Sequence, residues 1–72
     1  MNLTVRIKGQ TLEVFDTTSG GIRRTLTLPP GQYSNTVLSG DRVTVTITTP
    51  YGLDRIRTYN IKTGTLISDL QI

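Results

Sequence analysis

A chain of 72 residues that lacks cysteine, histidine, tryptophan and alanine, and carries threonine at 14 positions, has room for one small domain. It excludes disulfides and the ordinary thiolate or imidazole metal sites, and it points to β structure, since threonine favours strands and alanine is the best helix former. The formal charge of +3 comes from eight basic and five acidic residues scattered without a run, which suits solubility and only a mild attraction to anions.

Alternation of period two is clear in several places, and no segment shows a helical period. Leu3, Val5 and Ile7 share one side of a first strand, with Asn2, Thr4, Arg6 and Lys8 on the other. After a tight turn at Gly9-Gln10, a second strand over about 11–16 runs into the turn Thr17-Thr18-Ser19-Gly20-Gly21. A third strand, 22–28, places Ile22, Leu26 and Leu28 together, but Arg24 then falls on their side, an irregularity that a bulge or strand end relieves. Pro29-Pro30-Gly31 interrupts the pattern, because proline has no amide hydrogen to donate and glycine accepts turn dihedrals. A fourth strand over 33–38 ends at Ser39-Gly40-Asp41. Next comes the strongest alternation in the chain, with Val43, Val45 and Ile47 inward and Arg42, Thr44, Thr46 and Thr48 outward. Thr49-Pro50-Tyr51-Gly52 reads as a turn, 54–61 as a sixth strand, Lys62-Thr63-Gly64 as a turn and 65–72 as a last strand. Seven short antiparallel strands without a helix make an all-β domain: a small barrel, a sandwich or propeller-like sheets.

The chain repeats itself. Residues 15–22 (Phe-Asp-Thr-Thr-Ser-Gly-Gly-Ile) lie over 59–66 (Tyr-Asn-Ile-Lys-Thr-Gly-Thr-Leu), 44 positions on, and the match continues through Leu26/Leu70 and Leu28/Ile72. Upstream, Leu3-Val5-Ile7 matches Val43-Val45-Ile47 loosely, with a turn three residues longer in the second copy. The two copies span about 1–28 and 33–72. Blades of WD-type propellers repeat every ~40–45 residues and carry four strands each. The segments Val14–Gly20 and Thr58–Gly64 resemble the strand-turn at the outer hairpin of a β-propeller blade, of the WD or PQQ kind, which commonly reads aromatic, Asp, two variable residues, Ser/Thr, Gly. The WD dipeptide is replaced by Phe-Asp and Tyr-Asn, and the Gly-His element is missing. The resemblance implies a complete second blade and a first blade without its innermost strand. Two blades cannot close a ring, whereas two, three or four copies of the chain would give four, six or eight. The alternative is one hairpin selected twice for the same turn chemistry within a single sandwich or barrel.

Strands at both ends of a 72-residue chain expose unpaired backbone groups, and a core this small needs outside support, so a homo-oligomer is the expected state. Nucleophilic catalysis of the Ser-His or Cys-His kind has no base here. The acids Glu13, Asp16, Asp41, Asp54 and Asp69 read as turn or outward strand residues rather than an acid–base pair, and no phosphate-binding loop enters a helix. No enzyme activity, cofactor or metal is expected. Arg55, Arg57 and Tyr59 project from one side of their strand, a basic stripe ending in an aromatic ring of the kind that holds nucleic acid, and Arg6, Lys8, Arg23 and Arg42 are candidates to extend it. The competing reading pairs those arginines with carboxylates across strands. Tyr33 and Tyr51, on turns stiffened by proline, are candidates for contact with another protein.

No stretch approaches the roughly 20 apolar residues of a membrane helix, and MNLTVRIKG lacks a signal-peptide core. The expected location is intracellular or virion-associated, with no membrane partner. The expected function is a non-enzymatic structural or assembly protein that self-associates through strand edges, in the style of bacteriophage virion components. The alternatives are an oligomeric binding module for carbohydrate or peptide, and a small-barrel nucleic-acid binder.

Overall fold

Alternating β-branched and polar residues, divided by Gly and Pro turns, form seven strands in the computed structural model, which describes residues 2–52 and 54–71. These are β1 (Leu3–Lys8), β2 (Thr11–Asp16), β3 (Ile22–Thr27), β4 (Gln32–Ser39), β5 (Arg42–Thr48), β6 (Asp54–Asn60) and β7 (Leu66–Gln71), with no helix among the described residues. The Leu28/Ile72 match and the expected end of the last strand at Ile72 lie outside those residues.

Strands consecutive in sequence pair antiparallel, except β3 and β4, giving two meanders: a three-stranded sheet β1-β2-β3 and a four-stranded sheet β4-β5-β6-β7. Both sheets are open. The first has no counterpart of β4.

The sheets stack through one core. Leu12 and Val14 come from the first sheet, Val43, Val45, Ile47 and Tyr59 from the second, and Leu28 and Ile61 from just beyond strand ends. Leu3, Val5, Ile7, Leu26 and Tyr33 pack against this cluster from its margins. The side of each sheet that meets the other is its inner face, and the opposite side its outer face. The β5 expectation holds: Val43, Val45 and Ile47 are fully buried, and Thr44, Thr46 and Thr48 point outward. Each such buried aliphatic side chain contributes about 1.5–3 kcal/mol by leaving water.

Three bulges adjust the alternation. In β4, Asn35 is the extra residue between Ser34 and Thr36, and it takes φ 47°, a left-handed conformation that asparagine tolerates better than most residues. In β3 the extra residue is Arg23, since Val14 pairs with Arg24 while Phe15 pairs with Ile22. In β7 it is Ile67, since Thr58 pairs with Ser68 while Tyr59 pairs with Leu66. The Arg23 bulge corrects the reading of β3. It leaves Arg24 on the inner face, beside Val14, and turns Ile22 to the outer face, where it is 52% exposed.

The repeat is structural at the β2–β3 and β6–β7 hairpins. The amide of Gly20 donates to the carbonyl of Asp16 at 2.7 Å, and that of Gly64 to Asn60 at 2.8 Å. Asp16 and Asn60 each accept a second turn amide on the side chain, from Thr18 and Lys62. Gly20 and Gly64 hold φ values of 75° and 78°, which glycine adopts without a Cβ penalty. The bulges at Arg23 and Ile67 are equivalent as well.

The upstream match does not survive. Phe15 pairs with Thr4 and Tyr59 with Val43, so Thr4 is the structural counterpart of Val43. The closing bonds agree: Thr17 donates to the carbonyl of Asn2, and Ile61 to that of Asp41. The offset is 44 positions for the hairpins but 39 for β1 and β5. Leu3, Val5 and Ile7 therefore correspond to Arg42, Thr44 and Thr46. Two hairpin copies are thus stacked front to back: Tyr59 faces the first sheet, while its counterpart Phe15 faces away from the second.

Candidate functional site

The register of β6 is set by its neighbour. Val43, Val45 and Ile47 of β5 stand opposite Tyr59, Arg57 and Arg55, and paired residues share a face. The expected basic stripe therefore lies on the inner face. Tyr59 is buried, 5% exposed, and the two arginines are half-buried. Both guanidinium groups converge on Asp69 of β7, which stands opposite Arg57. Arg57 donates from Nε to Asp69 Oδ2 at 3.2 Å and from Nη1 to the Tyr59 hydroxyl at 3.1 Å. The bond to Tyr59 is the largest influence raising the Arg57 pKa; partial burial opposes it, and the Asp69 charge adds to it. Arg55 Nε lies 3.4 Å from Asp69 Oδ1, within ion-pair range but without hydrogen-bond alignment, so this buried donor has no hydrogen-bond partner. The cross-strand carboxylate pairing holds for both arginines.

The other cations do not extend this row. Arg6 sits on the outer face of the first sheet, 2.6 Å from Glu13 and 5.5 Å from the centre of the Phe15 ring. Lys8 shares that face and is exposed. Arg23 is the β3 bulge, and Arg42 lies on the outer face of the second sheet. Arg24 instead reaches the second hairpin, donating to the Lys62 carbonyl at 3.0 Å. A cleft of about 410 Å³ opens there between Arg23, Arg24, Lys62, Leu3 and Ile61, with Lys62 Nζ 3.6 Å from Asp41.

The two tyrosine loops separate. Tyr33 stands opposite Ile47 on the inner face, half-buried, and its hydroxyl donates to the Pro29 carbonyl, so it is a packing residue rather than a free contact. Burial, and secondarily Tyr59, raise its pKa above the usual tyrosine value. Tyr51 is 90% exposed and borders a cleft of about 250 Å³ with Pro29, Pro30, Pro50, Arg55 and Gln71. The structure thus brings both proline turns together, as one candidate surface, and adds Arg55, which the sequence assigned to a different surface.

Among the carboxylates, Asp16 serves its turn, Glu13, Asp41 and Asp69 face cations, and Asp54 accepts from the Thr48 hydroxyl at 3.1 Å. Among the described residues no three His, Cys, Asp or Glu side chains gather as a metal site, and no helix is long and apolar enough to cross a membrane.

Among the described residues, exposed apolar side chains gather on the outer sheet faces and along the β7 edge. On the second sheet, rows Ser34–Thr46–Ile56–Leu70 and Val37–Thr44–Thr58–Ser68 lie open, with Val37 and Leu70 57% and 60% exposed. On the first sheet, Thr4, Phe15 and Ile22 form one row and Arg6, Glu13 and Thr25 the next. Sequence reasoning placed these threonines outward but gave them no role; their regular alternation was the available signal. No protein-family model, curated protein or solved structure matches the chain.

Proposed function

We propose that this chain is a non-enzymatic assembly unit that joins copies of itself into a larger particle, such as part of a virion. The observation that carries the reading is β7. It is an edge strand whose Leu66, Ile67 and Leu70 are 43%, 41% and 60% exposed. It has no lysine or proline, so only the Ile67 bulge and the inward-turned charge of Asp69 limit pairing at this edge. Soluble sheets normally protect such an edge, because unpaired strand groups recruit another chain. The propeller-blade resemblance supports the same reading, since a unit of two stacked sheets is completed by further sheets.

Light scattering behind a sizing column, at two protein concentrations, tests it. The expected result is a dimer, trimer or tetramer whose share grows with concentration. A monomer of 7.9 kDa at both concentrations would refute it.

A second reading, a binding module for peptide or carbohydrate, draws on the cleft where Tyr51, three prolines and Arg55 meet. An exposed aromatic ring on proline-stiffened turns contacts a ligand at small entropy cost. A nucleic-acid role has less support, because the arginines proposed for it share Asp69.

A further inference from the structure

We infer that copies of this chain stack head to tail, the outer face of the four-stranded sheet of one copy on the outer face of the three-stranded sheet of the next. This rests on the self-association reading and specifies its surfaces.

The molecule contains its own example of the contact. Within one chain, the Leu12 side of the first sheet packs on the Tyr59 side of the second. Because the hairpin copies are stacked front to back, each buried face has an open counterpart. The counterparts of Leu12, Val14 and Leu26 are Ile56, Thr58 and Leu70, on the outer face of the second sheet. Those of Tyr59 and Leu66 are Phe15 and Ile22, on the outer face of the first. Four of these five positions stay apolar on open faces, Ile22 and Leu70 exposed and Phe15 and Ile56 half-buried, with the Arg6 guanidinium over the Phe15 ring. A contact between two different faces repeats until it closes a ring or runs on as a filament, so one chain has one surface of each kind to offer.

Charge agrees with this pairing. Arg24 of the first sheet reaches the β6–β7 turn, so corresponding ends of the stacked sheets meet. The same arrangement between copies brings the β1–β2 end of one to the β5–β6 end of the next. Lys8 stands on the outer face at the first end, and Asp54 on the outer face at the second. Opposite charges therefore meet at this end of the junction.

The size of the contact suits a ring. Three strands of six residues present about 20 by 14 Å of sheet, or roughly 300 Å² per side. One junction of about 600 Å² falls below the ~1,200 Å² of a stable pair, while ring closure gives every copy two.

Two single substitutions test the polarity. Thr46→Lys places a charge on the outer face of the second sheet, in central strand β5, and leaves the β7 edge whole. Ile22→Lys does the same on the outer face of the first, at a side chain already 52% exposed. Circular dichroism establishes that both variants fold. Each alone is expected to lose the high-mass species in light scattering. Each retains one intact face of a different kind, so titrating ¹⁵N-labelled Ile22→Lys with unlabelled Thr46→Lys should shift amides of β5 and β6 and stop at one to one. If wild type associates but neither variant weakens it, or the mixture shifts no amide even at the high concentrations that populate a single weak junction, face stacking is wrong and edge pairing carries the assembly. A monomeric wild type overturns both proposals.

Discussion

Gly20 and Gly64 occupy the same place in two copies of one turn, so replacing each by alanine is a controlled experiment on what surrounds them. At φ values of 75° and 78°, either alanine costs about 1–2 kcal/mol for a left-handed conformation. The surroundings differ. A Cβ at position 20 meets nothing within 4 Å, whereas at position 64 it lies 2.8 Å from Nη1 and 2.9 Å from Cδ of Arg24. Arg24 must then swing away and give up its bond to the Lys62 carbonyl. A hydrogen bond from a charged donor is worth about 1.5–3 kcal/mol when sheltered, and solvent at this exposed position reduces it to about 1 kcal/mol. Gly64→Ala should therefore destabilise by about 1 kcal/mol more than Gly20→Ala, a difference of about 4–8 °C in Tm for a domain of this size. Thermal and urea unfolding followed by far-ultraviolet circular dichroism, at one protein concentration, would measure both. In an Arg24→Ala background the two glycine substitutions should cost the same. Equal losses in the wild-type background would show that Arg24 does not tie the first sheet to the second hairpin.

Three other outcomes are expected. Burial raises the Tyr33 pKa, so the folded state holds its phenolic proton more tightly than the unfolded chain does. That contribution is complete below the ordinary tyrosine value of 10.0 and fades as pH rises through the higher folded value; urea midpoints measured from pH 9 to 11 should fall, and fall less in Tyr33→Phe. Asp69→Asn leaves two half-buried arginines without a carboxylate and should cost about 1–2 kcal/mol, read as a lower urea midpoint. Asp41→Asn removes only the exposed 3.6 Å pair with Lys62 and should cost under about 0.5 kcal/mol by the same assay.

The strands were legible because threonine and valine alternate between Gly and Pro turns, and a local pattern of that kind needs no knowledge of the partner sheet. The β5 face was read correctly for the same reason: Val43, Val45 and Ile47 leave no competing apolar side. The face of β6 was not legible. Ile56 is the apolar residue on one side and Tyr59 on the other, so β6 has no strong preference, and its pairing with β5 decides where Arg55 and Arg57 point. The fate of Ile22 depended on the Arg23 bulge, which the irregular placement of Arg24 announced without saying which residue would turn. The Pro29-Pro30 and Pro50-Tyr51 loops meet because β4 and β5 form a hairpin in which Gln32 stands opposite Thr48, whereas the arrival of Arg55 at the same cleft depends on the face of β6.

The two offsets, 44 and 39, explain how a front-to-back stack still gathers its apolar residues at one interface. Between β5 and β6 the chain adds one more ladder pair, Thr48 with Asp54, and has five residues between the two strands where β1 and β2 have only Gly9-Gln10. The five-residue change is odd, and side chains alternate with period two, so β5 is displaced by one face relative to β1. Leu3, Val5 and Ile7 and Val43, Val45 and Ile47 consequently enter the same core although the hairpins beside them face the same way. With an even change, β5 would turn its aliphatic side to water and place Thr44 and Thr46 in the core. The cost of this arrangement falls on the outer faces. They keep the apolar residues of β2, β3, β6 and β7, at Phe15, Ile22, Ile56 and Leu70, but replace those of β1 and β5 with Thr4, Arg6 and Lys8 and with Thr44 and Thr46. The proposed junction between copies would therefore be a weaker version of the junction within one: reversible, dependent on concentration, and held mainly by the hairpin strands.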